Sequence, residues 1–270
     1  MFSPALFVSL LLLHSAFCAF EEEESDEEFA LNYLSSYNYL SKTRSGNHDQ
    51  TTAVKNFQKF FGLPVTGKLD EETMYEMKKP RCGNTDLNTN GQPHRQKRYS
   101  TSWDRWRKNN LKYYLSTGED MSASDQARVI AKAFKMWSDV TPLRFTRTFR
   151  TSEADFRLSF GKGSHQGVPG EGKCYTPFDG KGKVLAHAFY PQNGRIHFDD
   201  DDKFSETGSF WTGSNSLIHV AVHEIGHALG LYHSDVKGAV MWPTASRGTP
   251  KLHKDDIDGV RSLYGKSFFR

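Results

Sequence analysis

The stretch His223-Glu224-Ile225-Gly226-His227-Ala228-Leu229-Gly230-Leu231-Tyr232-His233 reads H-E-x-x-H-x-x-G-x-x-H. His223 and His227 stand one helical turn apart, so on a helix both rings fall on one face and reach one metal ion. Glu224 lies next to His223, where its carboxylate can approach a water held by that metal. Gly230 tolerates the positive φ that ends a helix, and the turn returns His233 as a third imidazole. Three neutral nitrogens plus a water form the open set of catalytic zinc, not the closed set of structural zinc. In this reading zinc acidifies and orients the water, and Glu224 takes its proton. A bare H-E-x-x-H also arises by chance on ordinary amphipathic helices; the added Gly and third His set the longer pattern apart. Met241, in Ala239-Val240-Met241-Trp242-Pro243, falls where a methionine turn would underlie the metal, although alone it reads as core packing.

The chain has 270 residues, room for one ordinary domain and a smaller one. A net charge of only +3 gives no reason to expect a nucleic-acid partner. The three cysteines, Cys18, Cys82 and Cys174, are an odd count and do not describe a disulfide framework. Each needs its own role.

Leu6 to Phe17 form an apolar run too short for a membrane anchor, followed by small residues and then acid. The run reads as a secretory signal peptide cleaved after Cys18 or Ala19, with a buried N-terminal helix as the alternative. Glu21 to Glu28 read as a solvated, disordered acidic stretch. Leu31, Leu34, Tyr37 and Leu40 recur at helical spacing, as do Val54, Phe57, Phe60 and Phe61. After the turn Gly62-Leu63-Pro64-Val65-Thr66-Gly67, Asp70 is placed to cap a third helix carrying Met74 and Met77. These predict a small three-helix unit over residues 30–79.

Pro80-Arg81-Cys82-Gly83-Asn84-Thr85-Asp86 comes next. A thiol between Pro and Gly suits a zinc better than a core. Cys82 as thiolate would take the fourth position, displace the water and hold the site shut. Segment and site share a chain, so effective concentration helps keep it there. Leu87 to Arg98 form a polar linker ending Arg95-Gln96-Lys97-Arg98, a furin-type R-x-K-R site that predicts a cut after Arg98; a solvated charge run is the alternative. The organisation is therefore 1–18 signal peptide, 19–98 propeptide (switch at 80–86, processing site at 95–98) and 99–270 catalytic domain. Within the last, Leu111–Leu115, Phe145–Arg147 and Asp155–Phe160 read as strands and Asp125–Val140 as an amphipathic helix. That order predicts an α/β domain with a twisted mixed sheet carrying the zinc-binding helix.

These segments together resemble the matrix metalloproteinases, within the metzincins, and the likeness covers the chain after the signal peptide. The family's switch is PRCGVPD; here Asn84-Thr85 stands for Val-Pro, while Arg81 and Asp86 keep their places. Ser234 after the third His and the run Asp255 to Gly265 fit as well. The resemblance implies a metzincin sheet of five strands with three helices, and a zinc endopeptidase made as a zymogen. Arg81 and Asp86 would pair to brace the switch, and the new amino group of Tyr99 would pair with Asp255. It implies activation by a proprotein convertase, substrates among extracellular matrix or other extracellular proteins, and tissue inhibitors of metalloproteinases as partners. A substrate strand would lie beside Leu185 to Phe189. The chain stops at Arg270, which suggests the minimal, matrilysin-like architecture without a hemopexin domain or membrane anchor. A different class, a catalytically silent binding protein on the same fold, would be favoured by loss of Glu224, which is present.

The resemblance also implies a structural zinc on His, Asp, His and His. His165, His187 and His197 match; Cys174 falls where the Asp belongs. The expected set is His165, Cys174, His187 and His197, with Glu171 as ligand, or no second zinc, as alternatives. Calcium is implied at Asp179, the carbonyls of Gly180, Gly182 and Val184, and Asp199 with Asp202, the last standing where Glu is usual. The other reading of these acids is a solvated loop. Pro243-Thr244-Ala245 replaces the family's P-x-Y beside the specificity pocket, so no side-chain preference is carried over.

Overall fold

The computed structural model describes residues 24–40, 49–92, 95–96, 99–100 and 104–266. The expected signal peptide with Cys18, and Lys97 and Arg98 of the processing site, lie outside these residues.

Three helices open the described chain: α1 (Asp26–Ser36), α2 (Gln50–Phe60) and α3 (Glu71–Met77). Each is started by a side-chain cap, from Ser25, Asp49 and Asp70 respectively, which satisfies one of the orphan N–H groups of the first turn. Leu34, Val54, Phe57, Phe61, Met74 and Met77 meet in one core. Phe57 holds Tyr33 and Tyr39 edge-on, both at 5.5 Å between centroids. The acidic stretch departs from expectation: Asp26, Glu27 and Glu28 are the first turn of α1, not disordered. Carboxylates at a helix N-terminus are favoured by the helix dipole. The apolar spacing also overran the element, since α1 ends at Ser36 and Leu40 lies beyond it.

The main sheet is built from β1 (Arg81–Cys82), β4 (Asn110–Leu115), β5 (Arg144–Arg147), β6 (Phe156–Gly161), β7 (Val184–Ala188) and β8 (Arg195–Asp199). Strands β2 (Arg95–Gln96) and β3 (Tyr99–Ser100) form a separate antiparallel pair. Strands β9 (Phe204–Ser205) and β10 (Asn215–Ser216) form a short parallel pair. The main sheet runs β1-β7-β8-β6-β4-β5, with β7 and β8 antiparallel and the other neighbours parallel, the expected mixed sheet. Five strands lie between residues 110 and 199, as the resemblance implied; the sixth, β1, comes from the segment expected to be the propeptide and covers the β7 edge.

Helix α4 (Ala123–Ser138) buries Val129, Ile130, Ala133, Phe134 and Trp137. Trp137 Nε1 donates to Val222 O at 2.9 Å, which ties α4 to α5 (Leu217–Ala228). Every residue of α5 is buried, its apolar residues in the core and His223, Glu224 and His227 toward the Cys82 segment. Gly226 lies inside it for a packing reason. A Cβ there would collide with Met241 Sδ and meet Trp137 Cζ2 at 3.1 Å. Gly230, at φ 105°, ends the turn after α5, and α6 (Lys254–Tyr264) closes the fold. Among the described residues no helix is long and apolar enough to cross a membrane.

Candidate active site

Helix α5 presents His223 and His227 one turn apart, and the Gly230 turn returns His233. All three rings are buried. Each has its Nδ1 engaged: His223 with Val240 O, His227 with Leu231 O and His233 with Asp86 Oδ1, each at 2.7 Å. With acceptors on Nδ1, the tautomer is set and the Nε2 lone pairs are left to converge. Nε2 of His223 lies 3.1 Å from that of His227 and 3.2 Å from that of His233. Ligands about 2.0–2.1 Å from a tetrahedral zinc stand at nearly this spacing from one another. Burial holds His233 down to about 3 and His223 well below its usual value, so both are neutral and free to ligate. Met241 packs below, at the Gly226 face.

Cys82 completes this group: its sulfur and the three imidazoles fall within 4.8 Å of one another. Burial, then the nearby Glu224 carboxylate, raise the thiol well above its ordinary value. Glu224 is fully buried. Neither of its oxygens has a hydrogen bond of ordinary geometry, and burial pushes it up to about 8, with Cys82 as a polar neighbour. A buried carboxyl beside three converging imidazoles suits a small polar ligand. The donor set and this orphaned carboxylate both fit zinc.

The Cys82 segment is braced from behind. Arg81 Nη2 and Nη1 donate to Asp86 Oδ1 and Oδ2 at 2.6 and 3.1 Å. Tyr39 OH donates to the same Oδ2 at 2.8 Å, and the guanidinium stacks 3.4 Å from the Tyr37 ring centroid. Arg81 is 2% exposed and Asp86 1%, so the pair is useful only because every polar atom finds a partner. The segment also fills a cleft. Arg81 N donates to Lys183 O on one side, and Cys82 N to Pro243 O and Ala245 N to Pro80 O on the other. Cys82 therefore sits over a small pocket walled by Leu185, His219, Val220, His223, Glu224, Pro243, Thr244 and Ala245.

A second buried group unites His165, Cys174, His187 and His197 within 4.8 Å. His165 Nε2 and His187 Nε2 approach His197 Nδ1 at 2.9 and 3.1 Å, and Cys174 Sγ lies 3.4 Å from His187 Nε2. His165 is oriented by Gly163 O at 2.9 Å. Glu171 is not in the group. It accepts an ion pair from Arg157 at 2.8 Å and sits 3.9 Å from the far nitrogen, Nε2, of His197, an outer position.

A sequence model of the matrixins, the M10 peptidases, matches residues 105–265. The chain belongs to the matrixin family. A second model, for a peptidoglycan binding domain, matches residues 29–77, the helical unit. Similar proteins are matrix metalloproteinase-18 of Xenopus laevis, 41% identical over 97% of this chain and 56% of the relative; interstitial collagenase of Oryctolagus cuniculus, 38% identical over 98% and 56%; and stromelysin-1 of Mus musculus, 39% identical over 90% and 50%. The chain thus spans about half the length of these relatives. Matrixins use catalytic zinc and calcium, and this matrixin carries two buried groups suited to metal.

The acidic loop of this matrixin holds further open acceptors. Asp179 Oδ1 accepts from Val184 N at 3.1 Å, Asp199 Oδ1 from Asp201 N at 3.0 Å and Asp202 Oδ1 from Gly182 N at 3.0 Å. The second oxygens of Asp199 and Asp202 are buried without partners, and Gly180 and Gly182 turn the chain at φ 84° and 89°. In the uncleaved chain Tyr99 lies in β3, and Asp255 Oδ2 accepts from Ser234 Oγ at 2.6 Å. Sequence reading missed Tyr190, whose ring packs 5.7 Å from His227 and 4.8 Å from Tyr232, and Tyr39 on Asp86; neither sits in a motif that would single it out.

Proposed function

We propose that this matrixin is a secreted zinc-dependent endopeptidase made as a zymogen, with residues 1–18 as signal peptide, 19–98 as inhibitory propeptide and 99–270 as catalytic domain. One observation carries the reading: His223, His227 and His233 converge beside an unpartnered Glu224, with the propeptide's own Cys82 as fourth member of the set. His223, His227 and His233 would hold the catalytic ion. Bound there, zinc supplies Lewis acidity toward water and the scissile carbonyl.

The chain's own residues do the rest. In the latent form Cys82 covers the site, and Glu224 is held at about 8 by burial. Withdrawal of Cys82 admits water, lowers that desolvation penalty and frees Glu224 to ionise as general base. The same carboxyl then returns the proton to the leaving amine. The uncovered β7 edge offers backbone N–H and C=O groups to an extended peptide, and Leu185, Val220 and the Pro243–Ala245 wall receive its side chain. His165, Cys174, His187 and His197 would hold a second, structural zinc. Asp179, Asp199 and Asp202, with the carbonyls of Gly180, Gly182 and Val184, would hold calcium. Proteins of the extracellular matrix are the substrate class, in line with a relative named interstitial collagenase. A furin-type convertase cutting after Arg98 would release the enzyme, and tissue inhibitors of metalloproteinases would oppose it.

The test is cleavage of a quenched peptide library by 20–270, 99–270 and full-length Cys82→Ser, each with and without a zinc chelator. Activity in the last two, abolished by chelator and weak in the first, is the expected pattern. Equal activity in 20–270 and 99–270 would remove the switch from the account, and silence in all folded, zinc-loaded forms would favour a binding role.

A further inference from the structure

Past Cys82 the switch turns away from β7. The backbone ladder stops at Gly83, whose N–H donates to Ala186 O at 2.8 Å. The next station on β7 is nevertheless filled, by a side chain. Ala188 N–H donates to Asn84 Oδ1 at 3.0 Å, and Asn84 Nδ2 donates to Ala188 O at 2.8 Å. The reciprocal pair also fixes which end of the carboxamide is oxygen, because Ala188 presents one donor and one acceptor. The backbone N–H of Asn84 points to Cys82 Sγ at 3.3 Å. One residue therefore clamps the strand edge and touches the thiol.

We propose that Asn84 is the latch of the latent state, its carboxamide standing in for the N–H and C=O of one substrate residue at Ala188 and so fixing the Cys82 sulfur over the three histidines. This deepens the peptidase reading and rests on it. A primary amide presents its oxygen and one N–H on the same side, as one residue of an extended strand presents its C=O and N–H, so it can extend a ladder that the main chain has left. Valine, the residue of the matrix metalloproteinase pattern at this position, has neither group. With valine, Ala188 N–H and C=O would lose their partners while still covered by the propeptide, an arrangement that favours opening. The latch also explains why a substrate can replace the propeptide: an incoming extended peptide offers the same pair of hydrogen bonds to Ala188.

The test uses the full-length zymogen with its metal, carrying Glu224→Gln in every sample so that none digests itself. Iodoacetamide labelling of Cys82 is followed by peptide mass, and amide hydrogen exchange is read at Ala188 and across α2. Asn84→Val and Asn84→Asp should each label Cys82 about tenfold faster, the effect of losing a pair of ordinary hydrogen bonds. Ala188 should lose protection while α2 keeps it. Unchanged labelling in both variants would overturn the latch. So would faster labelling with Ala188 still protected, or with protection lost throughout α2, since the propeptide would then be failing as a whole. Peptide hydrolysis enters none of these readouts, so their failure leaves the peptidase reading to its own test.

Discussion

Asp86, in the segment that carries Cys82, accepts a hydrogen bond from Nδ1 of His233 at 2.7 Å. The same carboxylate is forked by Arg81. Burial works to raise Asp86, but Arg81 and His233 outweigh it and hold the carboxyl well below the usual range. The Cys82 segment and His233 therefore share one buried network, and in the proposed zymogen the partner that orients His233 would leave with the propeptide.

Removing that carboxylate should be costly. Asp86→Ala strands the buried Arg81 guanidinium, a loss of about 3–5 kcal/mol in the latent state. The measurement is thermal unfolding of the zymogen together with its background peptidase rate. A lower unfolding temperature and a raised background are expected; a stable, silent variant would mean that the Arg81–Asp86 pair is dispensable.

Cys174 should behave as a metal ligand. With Cys82 already replaced by Ser, the cobalt-substituted protein should still show thiolate-to-metal charge-transfer absorption in the near ultraviolet. Adding Cys174→Ser should abolish that absorption and lower zinc content from about two to about one per chain. Retention of both zincs without Cys174 would point to three histidines and another donor.

The acidic loop gives a pH dependence with a definite sign. Burial first, then neighbouring carboxylates, raise Asp199 and Asp202 from 3.8 to about 6 in the calcium-free fold. The folded state then holds extra protons between those values. Their stabilising contribution is present below the unfolded pKa and is lost as pH rises through about 6. Calcium compensates the charged forms and should suppress the loss. Thermal unfolding from about pH 4 to about pH 7, with EGTA or with calcium, reads this directly; parallel profiles would argue that no ion binds there.

Gly226→Ala should damage the site without touching a ligand. The new methyl meets Met241 and Trp137, so overpacking of about 1–3 kcal/mol is expected, with reduced zinc retention as Met241 is displaced. Unfolding temperature and metal content check it together. A variant with native values of both would show that the methionine turn has room to move.

Much of this was legible in the chain because it is local. The offsets from His223 to His233 place ligands on one turn and its return, and Asp70 caps α3 from its own neighbourhood. The alternation and spacing of apolar residues located the strands around Leu111 and Phe156 and the helix around Phe134. What escaped depends on segments far apart in sequence. Asn84 reads as a departure from a family pattern, and only the adjacent β7 edge shows its amide acting as backbone. Asp86 reads as the partner of Arg81, and its bond to His233 spans 147 positions. The acidic run before Phe29 has the composition of a disordered tail, yet Ser25 caps its second half into α1. Glu171 and Cys174 were rivals by type; the bridge between Gln166 and Lys173 folds Cys174 back onto His165, whose carbonyl accepts from Cys174 N, while Glu171 turns to Arg157.

The most direct test of the central claim is the peptide-cleavage rate of 99–270 against the same protein with Glu224→Gln, both shown to bind zinc equally. A general base contributes about 10²–10⁴-fold, so kcat should fall by that factor with metal content unchanged. Equal rates in the two proteins would contradict the assignment of Glu224, and with it the account of how this site works.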